Sequence, residues 1–525
     1  MPENLQSKIQ NPKSKIARLL FVALVVFTYF FGLTLPLVGP DEPRYAQVAR
    51  EMFERGDWIT PTLGGFDWFE KPALLYWLEI ASYKLFGVNE FAARFGSAIF
   101  GLGTIFCLWI LGRFSAAENT EQMRKDEIVN DFSKTSVAEK NFAWWLVLTA
   151  STSIGLIVFS RGASFDIILT FPLTAALAGF FIFDRSKRKS GFTFHLPLFI
   201  FYFFIGVALI AKGLVGIVFP FSIVAFYYLL SRKTPSKAFL LSLFWGTILS
   251  LAIASVWYLP MYQANGWKFI DEFFIQHHFQ RFTSDKYQHH QPFWFFLLVL
   301  PLMTLPWLPF FLASIFDYFK SQTINRRIQH SALSTQHSAL RTFAFAWLAV
   351  PLVFFSLSGS KLPGYILPAL PAAMILATIY IFRFVQKSKT RERALQILAT
   401  AILISIIAAV QFFAPDYTRH ETVKYMIETA DAKGFADAKF AGLYTVSHNL
   451  EFYAAGRLER DEDGKLKRYD NFYELVQKLK TEKNGKTLII VPLANVSNLQ
   501  AENGAADIEV ISENGESAII LIKPK

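Results

Sequence analysis

An acidic pair, Asp41-Glu42, follows directly on a long apolar run and opens the segment Gly39-Pro40-Asp41-Glu42-Pro43-Arg44-Tyr45. Charge beside hydrocarbon is costly unless it has a partner or a task. Gly56-Asp57-Trp58 and Phe69-Glu70-Lys71-Pro72 come next, and a further acid, Asp166, ends the segment Ser160-Arg161-Gly162-Ala163-Ser164-Phe165-Asp166 beside another apolar run. Asp41 and Asp166 each have an arginine close by, Arg44 and Arg161. Carboxylates in such surroundings act as general bases or orient a polar substrate, and two at one membrane face would line a polar pocket. Spacing alone also allows a plainer reading. Asp41 would cap a helix whose first turn holds Pro43, and Glu70-Lys71 would be a local ion pair. Four of the nine histidines fall between His277 and His290; a zinc ion there would need ligands converging from elsewhere.

The elements that position these residues are membrane helices. Of 525 residues, 53% are hydrophobic, 56 are Phe and only 18% are charged, a balance that makes lipid the main solvent. Apolar runs predict about eleven spans, with up to thirteen admitted, near 17–37, 90–112, 142–160, 165–184, 195–211, 213–230, 238–260, 293–316, 343–358, 364–384 and 395–413. The formal charge of +11 lies in short loops between these runs, which excludes a nucleic-acid partner and obeys the positive-inside rule. The N-terminal tail, residues 184–189, Ser231-Arg232-Lys233, Arg326-Arg327 and 387–393 all fall on one side, the cytoplasm. The other side receives 38–89, 161–164, 261–292, 359–363 and the C-terminal residues. Cys107, the single cysteine, lies inside an apolar run and suits packing.

In the first loop, Tyr45, Val48, Ala49, Met52 and Phe53 fall on one face of an amphipathic helix lying in the interface, and Pro72 to Phe86 supplies a second. After Pro415 the composition turns polar. Strand character at 439–444, 487–491, 508–511 and 518–522, with helical periodicity over 471–480, predicts a small periplasmic α/β domain. The expected division is 1–413, a transmembrane domain carrying loops 38–89 and 261–292, and 414–525.

Beyond these physical signals, Asp41-Glu42-Pro43-Arg44-Tyr45-Ala46, Gly56-Asp57-Trp58, Phe69-Glu70-Lys71-Pro72 with Tyr76-Trp77, and Arg94 resemble the first loop of the aminoarabinose transferases. These lipid A-modifying enzymes belong, with the dolichyl-phosphate-mannose protein mannosyltransferases, to the C-type glycosyltransferases. The resemblance continues in order through Ser160-Arg161, Asp166, Ala211-Lys212-Gly213, His277-His278-Phe279-Gln280-Arg281-Phe282, His289-His290-Gln291-Pro292, Ser360-Lys361-Leu362-Pro363 and Tyr365 to Pro368, over roughly residues 20 to 385.

The resemblance implies a C-type glycosyltransferase fold in a bacterial inner membrane, taking sugar from a polyprenyl-phosphate carrier of the undecaprenyl type to a lipid, glycan or protein acceptor. Asp41 and Asp166 match the family's acids. Arg44 and Lys71 match groups that hold the carrier phosphate, joined by Arg281 and Lys361; Glu42, Tyr45, Arg161 and Tyr365 are expected at the substrate. Glu70 and a histidine match a metal site, zinc-like, with His278 preferred over the adjacent His277 because Arg281 follows it at the family's spacing. Pro43 and Gly364 stand where the family varies. Breaking a bond between an anomeric carbon and phosphate leaves charge on the departing phosphate, so fixed cations stabilise that transition state. If the acceptor is a hydroxyl, one acid serves as base; a phosphate acceptor needs none. A secondary transporter would place its ionisable residues at mid-membrane in repeated halves, a pattern absent here. A flippase or carrier-binding protein would share the polar pocket without transfer.

Overall fold

The computed structural model describes residues 12–125, 132–186, 195–280, 291–324, 337–445, 447–481, 487–501 and 506–525. Six helices within them are long and apolar enough to cross a bilayer: 90–118, 165–185, 237–277, 338–356, 363–385 and 389–412. A bent pair, 141–151 with 154–160, adds a seventh if counted as one span, and Leu196–Lys212 and Val215–Ser231 are shorter apolar helices. The chain is a helical polytopic membrane protein. The predicted run at 293–316 divides into Phe295–Met303 and Leu308–Ile324, because Pro306 cannot donate to the helical ladder and the intervening residues turn.

Two compact units form. The first comprises 1–31, 70–75 and 97–407, and contains the helices α5 (Phe132–Ser151), α6 (Ile154–Ser160), α7 (Phe165–Arg185), α8 (Leu196–Lys212), α9 (Val215–Ser231) and α10 (Lys237–Ile270). Lipid offers no hydrophobic drive for helix association, so packing and interhelical polar contacts hold such bundles. Thr149 and Thr378 share a hydrogen bond of 2.6 Å, and the Trp307 indole donates to Thr152 at 3.0 Å. The helix Leu370–Val385 is buried along most of its length, whereas Lys389–Phe412 turns most of its surface outward.

The second unit joins residues 32–69 and 76–96 of the first loop with 408–525. The expected boundary at 413 and the grouping of loop 38–89 with the spans therefore differ from the compact units observed. The reason lies in burial: α2 (Asp41–Arg55) has an apolar face too large for a short loop to cover by itself, and it packs on the helix His448–Tyr453. Arg50 donates to the Phe452 carbonyl at 2.9 Å, and the Leu466 amide donates to Gly64 at 3.0 Å.

A mixed five-stranded sheet, order β4-β3-β5-β7-β6, forms the centre of the C-terminal part. Strands β3 (Lys439–Leu443), β4 (Arg468–Tyr469) and β5 (Thr487–Pro492) are parallel; β7 (Ser517–Pro524) runs antiparallel to β5 and to β6 (Ala506–Glu513). Strand β5, Thr487-Leu488-Ile489-Ile490-Val491, is buried on both faces: Leu488 and Ile490 pack beside Phe440 and Ile519, and Ile489 and Val491 beside Tyr469 and Leu475. A continuous apolar run is what a doubly covered strand requires. Four strands and the helix Phe472–Thr481 coincide with the expectation; the two-residue β4 and the helix His448–Tyr453 are too short to leave a periodic signal.

Candidate functional site

In the membrane unit, α7 begins with Ser164 as its N-cap, whose hydroxyl accepts from the Asp166 amide at 3.2 Å. An acid in the first turn suits the helix dipole. Asp166 is paired with Lys212, the last residue of α8, 46 positions away. The Lys212 ammonium lies 4.9 Å from the centre of the Tyr365 ring. Gly364 closes the other side. A methyl group there would stand 2.6 Å from Asp166 Cγ, 2.7 Å from Phe159 Cε1, and closer still to the carboxylate oxygen. The position therefore admits hydrogen only, which accounts for the glycine preceding Tyr365. Lys361 is buried and donates to the carbonyls of Ser358 at 2.6 Å and Gln291 at 3.1 Å. Those bonds use two of the ammonium's three N–H groups. Glu70 and Lys71 pair at 2.9 Å, with side chains 8% and 13% exposed, so this ion pair is largely withdrawn from water.

In the second unit, α2 carries Asp41 and Glu42 in its first turn. Asp41 does not cap the helix as the spacing suggested: Pro40 holds the N-cap position without a side-chain bond, and Asp41 pairs with Arg44 one turn on. The Arg44 guanidinium rests 5.3 Å from the Tyr45 ring and 5.5 Å from Trp68. Tyr45 is buried. Glu42 faces inward, accepting from Arg94 Nε at 3.0 Å, from Arg94 Nη2 at 2.6 Å and from the Val38 amide at 3.1 Å. Arg94 in turn donates to the carbonyls of Leu33 (3.1 Å), Leu35 and Pro36 (2.9 Å). Glu42 thus anchors the chain leading into α2.

Other motif residues build the loop. Gly56 ends α2 in the left-handed conformation at φ 68°, where L side chains are strained. Asp57 accepts from the amides of Ile59 and Thr60, and Trp58 offers its carbonyl to the Trp77 indole at 2.7 Å. Arg161, expected at the substrate, donates to the carbonyls of Thr28 and Phe31, acceptors at the end of the helix Pro12–Phe30 that the helical ladder leaves open.

Several groups escaped the sequence reading. Lys212 is the cation that holds Asp166; a lysine between two apolar helices is the signal that marks it. Glu51 is buried and receives Thr62 Oγ1 (2.7 Å) and the amides of Gly64 (2.8 Å) and Gly65 (3.2 Å), pinning the hairpin Thr62–Asp67. Glu79 is fully buried with neither carboxylate oxygen hydrogen-bonded. Burial, reinforced by the charge of Glu42, pushes its carboxyl well above the usual carboxylate range.

Residues 16–120 match the model of the dolichyl-phosphate-mannose-protein mannosyltransferase family. Over 386 residues the chain is 33% identical to the undecaprenyl phosphate-alpha-4-amino-4-deoxy-L-arabinose arabinosyl transferase of Shewanella sediminis, covering 72% of this chain and 62% of that protein. The chain belongs to the aminoarabinose transferase and protein mannosyltransferase-like family. The protein of the same description from Aeromonas salmonicida is 31% identical over 364 residues, 67% of this chain and 58% of its own length. The matched region spans less than two thirds of these relatives. The fold is that of ArnT from Cupriavidus metallidurans, solved bound to undecaprenyl phosphate: TM-score 0.74, 21% identity, 96% of this chain and 97% of that one. The apo crystal structure of the same protein also gives a TM-score of 0.74.

The metal site expected from the resemblance pairs Glu70 with a histidine of the later loop. Among the described residues no three His, Cys, Asp or Glu side chains come together to hold an ion, and Glu70 is engaged by Lys71. His277 lies in the π-helical segment Asp271–Gln280; the side chain of His278 and all of Arg281 fall outside the described residues.

Proposed function

We propose that this family member transfers a sugar from a polyprenyl-phosphate carrier to a periplasmic acceptor. The observation that carries the reading is the pairing of Asp166 with Lys212 beside Tyr365 and Gly364, a charged cluster built at the ends of apolar helices. Charge placed there needs a task that repays its desolvation. The undecaprenyl phosphate in the Cupriavidus structure and the description of the Shewanella relative support a carrier of the undecaprenyl type and an aminoarabinose-like sugar. Lipid A is the acceptor class that fits the family best.

As the anomeric C–O bond breaks, the electron pair leaves with the carrier phosphate. Lys71 and Lys361, both cations of the membrane unit, supply positive charge for that oxygen. Asp166, held by Lys212, orients the sugar. With a hydroxyl acceptor, one of the two acids, Asp41 or Asp166, takes its proton as the new glycosidic bond forms and releases it to water before the next turnover. Eleven spans with a cytoplasmic N-terminus and a periplasmic C-terminal domain complete this reading, supported by five basic segments on one side.

Purified protein in vesicles, given a synthetic polyprenyl-phosphate sugar and lipid A, should form glycosylated lipid A detectable by mass spectrometry. Asp41→Asn and Asp166→Asn should each lower turnover by roughly 100-fold or more while carrier binding persists. Wild-type turnover in both variants refutes the assignment. Carrier binding without transfer by the wild type, to lipid A, glycan or protein acceptors, favours a carrier-binding protein instead.

A further inference from the structure

The C-terminal part of the second unit holds a cleft of about 340 Å³, partly open to solvent, whose enclosed portion measures about 30 Å³. It lies toward the carboxyl ends of the parallel strands β4, β3 and β5, where Arg468, Gly442 and Ile490 stand side by side in register and all three line it. That end of a parallel sheet is where open α/β folds take their ligands. The chain turns back sharply as it leaves β3. Tyr444 adopts φ 58°, and a methyl group on Gly442 would stand 2.8 Å from the Thr445 carbonyl oxygen. The backbone is thus held in a costly conformation between two residues that line the cleft.

The polar lining is only half matched. Glu459 is fully engaged, accepting from Tyr469 Oη at 3.1 Å, Lys478 Nζ at 2.6 Å and Thr487 Oγ1 at 3.4 Å. Glu451, also buried, meets His448 Nδ1 at 3.1 Å through Oε2 alone. Among the described residues its Oε1 reaches only the Arg468 guanidinium, at 4.0 Å and beyond hydrogen-bond distance. A buried carboxylate oxygen seldom goes without a donor, because it has given up its water. The Arg468 side chain is 43% exposed, and its guanidinium rests 5.7 Å from the Phe66 ring. Lys467 Nζ lies 5.4 Å from the Tyr469 ring and has no carboxylate within ion-pair distance among the described residues. The cleft therefore offers one deep acceptor and two less deeply buried cations.

We propose that this cleft binds a sugar phosphate. A hydroxyl or amino group of the sugar donates to Glu451 Oε1, and a phosphate on the neighbouring carbon rests on Arg468 and Lys467. The 4.0 Å between Oε1 and Arg468 matches a donor and an anion carried on adjacent carbons. The enclosed 30 Å³ holds about two waters, which is room for that hydroxyl or ammonium with the sugar ring at the mouth. Two cations match the charge of about −1.5 to −2 on a phosphate monoester; the carboxylate of an α-amino acid would need only one. All these residues belong to the second unit, and binding there requires no transfer chemistry.

The test is isothermal titration calorimetry on the full-length protein in detergent. Glucosamine 1-phosphate should bind, with glucosamine and inorganic phosphate each weaker by about ten-fold or more, since each engages only part of the lining. Glu451→Gln and Arg468→Gln should each weaken glucosamine 1-phosphate by about ten-fold. Should Glu451→Gln fold poorly, Arg468→Gln alters an exposed side chain and reads the same site. Binding retained in Lys71→Met supports the cleft. Binding lost in Lys71→Met but kept in Arg468→Gln places the ligand in the membrane unit and overturns it. Inorganic phosphate as tight as the sugar phosphate, or glycine tighter than either, refutes a sugar phosphate as the ligand.

Discussion

Replacing Gly364 by alanine adds one carbon atom and decides whether the close approach at Asp166 matters. Gly364 is not among the glycines with positive φ, so its backbone suits any L residue. With space available, alanine would stabilise the fold by about 0.4–1 kcal/mol through the unfolded chain's lost freedom. The new methyl instead meets Asp166 Cγ at 2.6 Å and Phe159 Cε1 at 2.7 Å, against 3.4 Å for ordinary contact. The carboxylate must retreat by about an ångström, and its pairing with Lys212 must loosen. Overpacking of this kind costs about 1–3 kcal/mol, which exceeds the entropic gain, so the sign is destabilising. Misplacing a group near reacting atoms by a similar distance lowers turnover by roughly 100-fold. The assay is glycosyl transfer from a synthetic polyprenyl-phosphate sugar by protein that elutes as a monodisperse peak, with melting measured alongside. A Gly364→Ala enzyme with wild-type kcat/KM and an unchanged or higher melting temperature would show that Asp166 is not confined in this way.

Two further outcomes are expected. Lys212→Met leaves the partly buried Asp166 charge unpaired and should lower the melting temperature; adding Asp166→Asn should recover much of it, because the orphaned charge is gone. Strictly additive losses in the double variant would count against the pair. For Glu79, a raised carboxyl pKa means the folded state holds its proton while the unfolded chain releases it near the ordinary value of 4.5. Its contribution to stability is thus intact below pH 4.5 and erodes as pH rises from there toward the elevated folded value. Glu79→Gln should raise the melting temperature at pH 8 and barely change it at pH 4.5; an equal effect at both would contradict a neutral buried carboxyl.

The sequence by itself determined whatever depends on one residue at a time or on regular spacing. Transfer free energy is a property of each side chain, so the density of Phe and Leu declares a polytopic membrane protein without knowledge of its partners. Strand β5 and the helix Phe472–Thr481 are legible because burial imposes a local pattern. The acids Asp41 and Asp166 stood out because charge beside hydrocarbon is expensive wherever it occurs. What only the tertiary structure decided is pairing. Nothing local ties Lys212 to Asp166, or forbids a methyl at Gly364, or turns Glu42 toward Arg94 and Arg161 toward the end of the helix Pro12–Phe30. These depend on distances between segments far apart in the chain, set by packing across several helices at once. The joining of the first loop with residues 408–525 has the same origin, since α2 must find apolar surface that its own short loop lacks.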